Sequence, residues 1–294
     1  VRARHPRGSH AQARSADGSS VNVTISRDVA LALERIEADA WRDLHASATA
    51  EDRAALGLRT REVAGAWLMG MSCDESLLHN RVLGLGLVEP GTGDVLDSVL
   101  EHYRGQPHPF AVNLSPFASP LRLEQQLAER GFGTFFHHLK WVRAAETAPV
   151  VSSALRVQAA SSAQAHAWGE LAARIFGTSP AHAVWASRCV GRAGWSHYFA
   201  FAGDTPVAVA ALFVAAGAAW LGAAGTLASH RRQGAQSALF ARRVADGLAQ
   251  GARWLTTETA PDWPDLPGDS LRNAARAGFH PAYERPSWIW PLPG

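Results

Sequence analysis

The feature that most constrains the fold is a short pattern that occurs twice. A Gly-Phe pair with a tryptophan ten residues after the glycine begins at Gly131 and again at Gly278. The two glycines are 147 positions apart, half of the 294-residue chain. Each follows a predicted helix, which a residue that adopts a positive φ readily ends. Because the predicted elements around the two copies also follow the same order, we interpret the pattern as a duplicated fold rather than a coincidence.

Composition excludes several classes of protein. Hydrophobic residues make up 47% of the chain, enough for packed cores, so the chain is not disordered throughout. No apolar run approaches the roughly 18 residues of a membrane span, so no membrane partner is expected. The net charge is only +2, which gives no broad basic field for nucleic acid. Two cysteines, Cys73 and Cys189, cannot form a disulfide framework, and we expect a cytoplasmic protein.

Hydrophobic spacing predicts the elements of both halves. In the first half we predict helices at 28–47, 94–104 and 119–130, strands at 63–71, 81–88 and 110–114, and a closing strand pair at 132–136 and 139–143. In the second half we predict a helix capped by Ser161 or Ser162 that ends near 176, a helix that begins at Ser179-Pro180, and helices at 233–249 and 269–277. We predict strands at 155–159, 197–202, 207–214, 220–228 and 254–259, a loop at 261–268, and a closing strand pair at 279–283 and 287–290.

These elements predict an α/β (α+β) fold of two domains. Each domain would be a mixed, mostly antiparallel twisted sheet flanked by helices. The small, polar segment 144–153 is the predicted linker, which divides the chain into domains at 21–146 and 147–294. Residues 1–20 are polar and read as a flexible tail, either native or left from an expression tag.

The segment from Gly225 to Leu239 carries the clearest chemical signal. It reads as a strand, a basic turn containing Gly234, and a helix. Backbone N–H groups at a helix N-terminus have no intrahelical partner, and with the helix dipole they bind anions. Gly234 lets the backbone approach a bulky anion closely, and Arg231 and Arg232 add positive charge. The turn therefore suits a pyrophosphate, although it has neither the P-loop pattern nor the dinucleotide glycine pattern.

This turn resembles the acyl-CoA motif of the GNAT acetyltransferase superfamily, [Q/R]-x-x-G-x-[G/A]. Arg231, Gly234 and Gln236 take its three defined places. Gln236 departs from the pattern, since glycine or alanine is usual there, and its side chain needs room in the loop. The order of the surrounding elements also follows the GNAT fold over residues 155–290.

The resemblance implies a site for acetyl-CoA as co-substrate. In that fold the fourth strand diverges from its neighbour, so that unpaired backbone groups around Gly225, Thr226 and Leu227 would bind the pantetheine arm. A free N–H there would stabilise the oxyanion of the reacting thioester. The residues that would contact CoA in the loop and on the later helix are Arg231, Arg232, Gln233, Gly234, Ala235, Gln236, Ser237, Ser270 and Asn273.

Catalytic residues are less clearly marked. Glu258, on the strand after the long helix and beside the cleft where the strands diverge, is the favoured general base, directly or through water; the alternative is a solvated strand-end carboxylate. Many relatives carry a tyrosine as acid four residues before the helix-ending glycine, where this chain has Ala274. Tyr283 is the nearest substitute in sequence, and the alternative for it is packing within a hairpin. Cys189 is the weakest candidate nucleophile, and no residue spacing indicates a metal site.

The first half keeps the predicted order of elements but lacks the motif. The matching turn carries Glu89 and Asp94, which would repel a pyrophosphate. We therefore interpret this half as a degenerate GNAT-like domain that completes the acceptor site or supports the second half.

The function implied by the resemblance is an acyl-CoA-dependent N-acetyltransferase. It would act by direct attack in a ternary complex on a small-molecule amine or an amino-terminal group, as a monomer or homodimer. One alternative is a non-catalytic acyl-CoA-binding or interaction protein of the same fold. The other is different acyl-CoA chemistry, such as O-acyl transfer or decarboxylation.

Overall fold

The computed structural model describes residues 25–149, 153, 155–260 and 269–290. The predicted tail at 1–20 and the predicted loop at 261–268 lie outside these residues. The helices are α1 (Arg27–Ala46), α2 (Ala50–Leu56), α3 (Gly93–Tyr103), α4 (Leu123–Glu129), α5 (Ala165–Phe176), α6 (Pro180–Ser187), α7 (Ala235–Ala249) and α8 (Asp269–Arg276). The strands are β1 (Leu58–Val63), β2 (Ala66–Met71), β3 (Arg81–Leu83), β4 (Phe110–Asn113), β5 (Gly133–Ala144), β6 (Arg156–Ala159), β7 (Trp195–Ala202), β8 (Thr205–Ala215), β9 (Ala218–Thr226), β10 (Trp254–Thr259) and β11 (His280–Trp290).

Capping residues set several helix boundaries. Ser26 begins α1 by accepting a hydrogen bond from the N–H of Val29 at 3.3 Å. Thr49 and Asp52 form a reciprocal capping box that begins α2, a helix the hydrophobic spacing did not predict. Gly57, with φ of 61°, ends α2. Short helices of this kind depend on such caps because their own hydrogen bonds are few.

The described strands form one sheet in the order β1-β2-β3-β4-β11-β5-β10-β9-β8-β7-β6. Most neighbours are antiparallel, but β3 is parallel to β4 and β9 is parallel to β10. Helix α3 makes the first of these parallel connections and α7 makes the second. The α/β class with a mostly antiparallel sheet is confirmed, and the same strand–helix–strand unit occurs in both halves.

The two halves exchange their last strands. β5 pairs with β10 of the second half, and β11 pairs with β4 of the first half. β5 and β11 also pair with each other, antiparallel, in the middle of the sheet. Each is one strand, so the predicted closing hairpins at 132–143 and 279–290 are wrong. The pairing of β11 with β5 shifts in register beside Pro281 and beside Ser287. β11 nevertheless continues through residues 284–286, where the sequence analysis predicted a break between two strands. The predicted domain boundaries stay predictions.

Because the last strands are exchanged, each half contributes a tryptophan to the core of the other half. Trp141 of β5 lies in the core of the second half, where its Nε1 donates to Thr259 Oγ1 at 3.0 Å. Trp288 of β11 packs against the core of the first half, near Phe132. The two glycines of the repeated pattern have φ of 86° and 78°, so both adopt the left-handed conformation that ends a helix.

Three further boundaries differ from the sequence predictions. The strand predicted at 63–71 is the hairpin of β1 and β2, which turns at Ala64 and Gly65 with positive φ at both. The strand predicted at 81–88 ends at Leu83, because Gly84 and Gly86 also have positive φ. The helix predicted at 119–130 is limited to α4, which begins after the cis peptide bond at Pro120.

Candidate active site

Strands β9 and β10 pair over a short distance and then diverge. Their parallel register covers three residues and ends at Thr256 opposite Trp220. Beyond that point Thr257 Oγ1 donates to the carbonyl of Leu221 at 2.9 Å, and β10 continues its pairing with β5 instead. The edge of β9 from Leu221 to Thr226 is therefore left without β10 as a partner, as the resemblance implies.

A bulge shapes this part of β9. In the register with β8, Gly225 lies opposite Val209 and Gly222 lies opposite Ala211, so β9 carries one additional residue. Ala223 takes up the irregularity with φ of 45°. Arg243 of α7 stabilises the bulge, because its NH1 donates to the carbonyl oxygens of Ala211 and Gly222, each at 3.4 Å.

The turn after β9 has a strongly twisted backbone. A 3₁₀ turn at Ala228–His230 is followed by Arg232 with φ of 63° and Gly234 with φ of 85°. Gly234 is the N-cap of α7, and its carbonyl accepts from the N–H of Ala238 at 3.0 Å. The helix thus begins two residues later than predicted, and its first N–H groups are free to bind an anion.

A cavity of about 1430 Å³ lies where β9 diverges from β10. Arg231 and Arg232 of the turn line it, together with Arg272 and Arg276 of α8. The last two are basic residues that the sequence analysis missed. Arg231 and Arg232 lie beside the N-terminus of α7, and Arg272, which pairs with Asp269, and Arg276 add positive charge to the same cavity, so it suits a polyanion.

Most predicted CoA-contact residues line this cavity: Gly225, Thr226, Arg231, Arg232, Gly234, Ala235, Gln236, Ser237, Ser270 and Asn273. Leu227 and Gln233 do not. The N–H of Leu227 donates to the carbonyl of Val207 at 2.9 Å, so it is not the free donor that the resemblance implied. Gln236 avoids crowding the loop because its Nε2 donates to Thr226 Oγ1 at 3.0 Å.

Glu258 lines the cavity, but its carboxylate belongs to a buried ion cluster. Arg81 lies 3.3 Å from Oε1, and Arg285 contacts Oε2. We define this cluster as the carboxylates of Glu34, Glu37 and Glu258 with the cations Arg81, Lys140 and Arg285. Its members come from α1, β3, β5, β10 and β11, so it joins both halves of the chain.

Mutual attraction keeps Glu37 and Arg285 ionised within this cluster. Burial raises the pKa of the Glu37 carboxyl, but the charges of Arg285, Lys140 and Arg81 outweigh it and hold that pKa well below its ordinary value. Burial opposes the charged form of Arg285, yet Glu34, Glu37 and Glu258 raise its pKa well above the ordinary value. Glu37 and Arg285 therefore form a fixed ion pair behind the wall of the cavity.

Tyr283 does not line the cavity. Its hydroxyl donates to Glu34 Oε1 at 2.8 Å, and burial with the nearby carboxylate raises its pKa far above the ordinary value. Ala274, at the position where many GNAT proteins carry a tyrosine, is fully buried against the core of the second half. Burial also raises the pKa of Cys189 to about 12, which disfavours a thiolate nucleophile. The roles predicted for Glu258 and Tyr283 stay predictions.

The first half contributes cavity residues that sequence reasoning missed. Trp41 of α1 and the side chains of Asp74 and His79, from the loop after β2, lie on its wall. His138 of β5 also faces it, and burial lowers the pKa of this imidazole to about 4. No local motif marks these residues, because they come together only through the sheet. Glu89 and Asp94 do not line this cavity.

Comparison with known proteins identifies the fold. No family model matches the sequence, and no curated protein matches it in sequence. Among solved structures, a GCN5-related N-acetyltransferase from Kribbella flavida has a TM-score of 0.60 and 18% identity, covering 90% of this chain and 96% of that chain. Another from Sphaerobacter thermophilus has a TM-score of 0.55 and 16% identity, covering 92% and 95%.

The chain therefore has the fold of the GNAT acetyltransferases. A tandem GNAT protein from the clavulanic acid biosynthesis pathway is also similar, with a TM-score of 0.53 and 17% identity, covering 73% of this chain and 75% of that chain. The arrangement of two GNAT-like halves is consistent with that protein. Among the described helices, none combines the length and apolarity needed to cross a membrane.

Proposed function

We propose that the chain is an acyl-CoA-dependent N-acetyltransferase that transfers an acetyl group from acetyl-CoA to an amine in a ternary complex. The observation that carries this proposal is the divergence of β9 from β10 beside the N-terminus of α7, at one cavity. An unpaired strand edge suits the amide groups of a pantetheine arm. The N-terminus of α7, with Arg231 and Arg232 beside it and the arginines of α8 in the same cavity, suits the pyrophosphate and phosphate groups of CoA.

The residues of the second half would divide the work. The turn from Arg231 to Ser237 would bind the pyrophosphate, and the edge of β9 would orient the thioester. Glu258 is the carboxylate of β10 on the cavity wall, so it remains our candidate for accepting the proton of the amine. The acceptor would be a small-molecule amine or an amino-terminal group. We propose that the protein acts in the cytoplasm as a monomer or homodimer. We also propose that it binds neither nucleic acid nor a membrane.

One observation favours a second function. Glu258 is ion-paired with two arginines, and neither Ala274 nor Tyr283 offers an acid on the cavity wall. A protein that binds acyl-CoA without catalysing transfer would need neither a free base nor an acid. This alternative shares the same CoA site, so binding and turnover must be measured separately.

Release of free thiol from acetyl-CoA in the presence of a panel of amines tests the proposal. Turnover above hydrolysis with at least one amine, with an acetylated amine identified by mass spectrometry, supports the transferase. An ester product would indicate O-acyl transfer, and decarboxylation is tested separately by CO2 release from an acyl-CoA that carries a free carboxylate, such as malonyl-CoA. CoA binding without turnover on any amine supports the binding protein, and absence of CoA binding overturns both.

A double variant tests the proposed CoA-binding site. Arg231→Glu with Gly234→Asp places two negative charges beside the helix N-terminus, and calorimetry should show CoA binding weakened by about tenfold or more. The matched control is Arg104→Glu with Gly105→Asp, an exposed Arg near an open glycine of φ 73° outside the cavity. Equal CoA affinity in the two variants would contradict the site.

A further inference from the structure

A second group of ionisable side chains lies on the wall of the cavity, apart from the arginines. Asp74 and His79 come from the loop between β2 and β3, and His182 comes from α6. One ligating atom of each residue lies within 4.8 Å of those of the other two. The proposed acetyl transfer uses none of these three residues.

Local hydrogen bonds hold this group in place. Asp74 Oδ1 accepts from the N–H of Ser76 at 2.9 Å, and its Oδ2 lies 2.7 Å from His79 Nδ1. The amide of Asn80 donates to the Asp74 carbonyl at 2.7 Å. These bonds hold an oxygen donor and a nitrogen donor side by side, and a metal ion bound between them would replace the proton that Asp74 and His79 share.

The two imidazoles face each other across a short gap. The rings of His79 and His182 meet edge to face, with centroids 4.6 Å apart. Trp185 packs against both rings, and Trp41 lies edge-on to His79. This apolar shell excludes water on one side, while the cavity gives access on the other.

We propose that Asp74, His79 and His182 bind a divalent transition-metal ion of the zinc class. Zinc lies about 2.0–2.2 Å from nitrogen and oxygen ligands, so two ligands of a tetrahedral ion are about 3.4 Å apart. The candidate atoms lie within 4.8 Å of one another, so side-chain rotations of about 1 Å would bring them to that spacing. Three protein ligands leave a coordination position open to the cavity, where water or an acceptor group can bind. Residue spacing gave no sign of this site, because α6 and the β2–β3 loop belong to different halves.

Calorimetry with metal ions tests the proposal without acyl-CoA, so its outcome is independent of the proposed function. The full chain is freed of metal with a chelator and titrated with Zn²⁺ and, separately, with Mg²⁺. We expect Zn²⁺ to bind and Mg²⁺, which prefers oxygen ligands, to bind far more weakly. His182→Gln and His79→Gln should each weaken Zn²⁺ binding by about tenfold or more.

His166→Gln is the matched control, because His166 is exposed on α5. It should bind Zn²⁺ as the wild type does. If His79→Gln does not fold by circular dichroism, His182→Gln and Asp74→Asn, whose side chains are only partly buried, decide the question. Absence of Zn²⁺ binding to the wild type, or equal affinity in wild type and His182→Gln, overturns the proposal. Any Zn²⁺ bound equally by all variants belongs to other histidines.

Discussion

Lys140 Nζ lies 2.5 Å from Glu37 Oε2, and both side chains are fully buried. Lys140 is the only lysine in the sequence and belongs to β5, whereas Glu37 belongs to α1. The buried ion cluster around them has three carboxylates and three cations, so its formal charges cancel. Its stability depends on that balance, because an uncompensated charge in a buried site is costly.

Replacing one member of this ion pair should therefore destabilise the fold strongly, and replacing both members should destabilise it less than the two single changes together. We expect Lys140→Met to lower the free energy of unfolding by about 3–5 kcal/mol, because Glu37 loses a cation. Lys140→Met with Glu37→Gln restores neutrality and should cost less than the sum of the two single changes. Urea unfolding followed by circular dichroism measures each value. Arg104→Met, which breaks an exposed pair with Glu101, should cost less than about 1 kcal/mol. Additive losses would contradict this account.

Acid should destabilise the fold through its buried histidines. Burial lowers the pKa of His197 to about 3 from an ordinary 6.5, and its Nδ1 has no hydrogen-bond partner among the described residues. As the pH falls below 6.5, the His197 imidazole becomes protonated in the unfolded chain, whereas in the folded chain it stays neutral down to about pH 3. The free energy of unfolding therefore falls by up to about 1.4 kcal/mol per pH unit from this residue alone.

His197→Phe should make that decline shallower between pH 6 and pH 4. The ring would keep its contacts with Trp168 and Trp195 but could not be protonated. Urea midpoints at several pH values measure the slope, with the exposed His166→Gln as control. Parallel curves for wild type and His197→Phe would show that another group controls the acid response.

The contact between α5 and α6 leaves no room at Gly169. A Cβ added there would lie 2.3 Å from the Ala183 carbonyl oxygen and 3.0 Å from Ser187 Cβ. Gly169→Ala should force the helices apart and lower the free energy of unfolding by about 1–3 kcal/mol. Gly133→Ala is the control, since a Cβ there meets nothing within 4 Å. Equal melting temperatures for the two variants would contradict the crowding.

Gln236 connects the basic turn to β9. Gln236→Ala removes its hydrogen bond to Thr226 Oγ1, which is worth about 0.5–1.5 kcal/mol. Since the turn would be held less firmly, we expect CoA to bind about threefold to tenfold more weakly in calorimetry. Gln250→Ala, on an exposed residue after α7, should leave the affinity unchanged. Tighter binding in Gln236→Ala would mean that the side chain obstructs the site.

Local patterns predicted the second half well. The strand, turn and helix around Gly234 lie close together in sequence, so their geometry follows from a glycine and helix periodicity. The repeated Gly-Phe pattern likewise marked two real helix ends. By contrast, the partners of β5 and β11 are chosen by distant strands, and no local pattern contains that information.

The sequence analysis also did not identify several buried ionisable residues. Glu34 and Glu37 lie on α1 among apolar positions, and charged side chains are normally assigned to a solvated face. Only the arrival of Arg81 and Arg285 from other strands makes their burial possible. His79 and His182 meet for the same reason, since their distance in sequence says nothing about their distance in the fold.

The exchanged strands also impose an order on synthesis. β4 is synthesised before β6–β10, whereas its neighbour β11 is synthesised only after them. The nascent first half therefore carries an unpaired sheet edge while the rest of the chain is made, and such edges invite pairing with other chains. A protein assembled in this way cannot complete one half before the other has been made, so its two halves finish folding together rather than domain by domain.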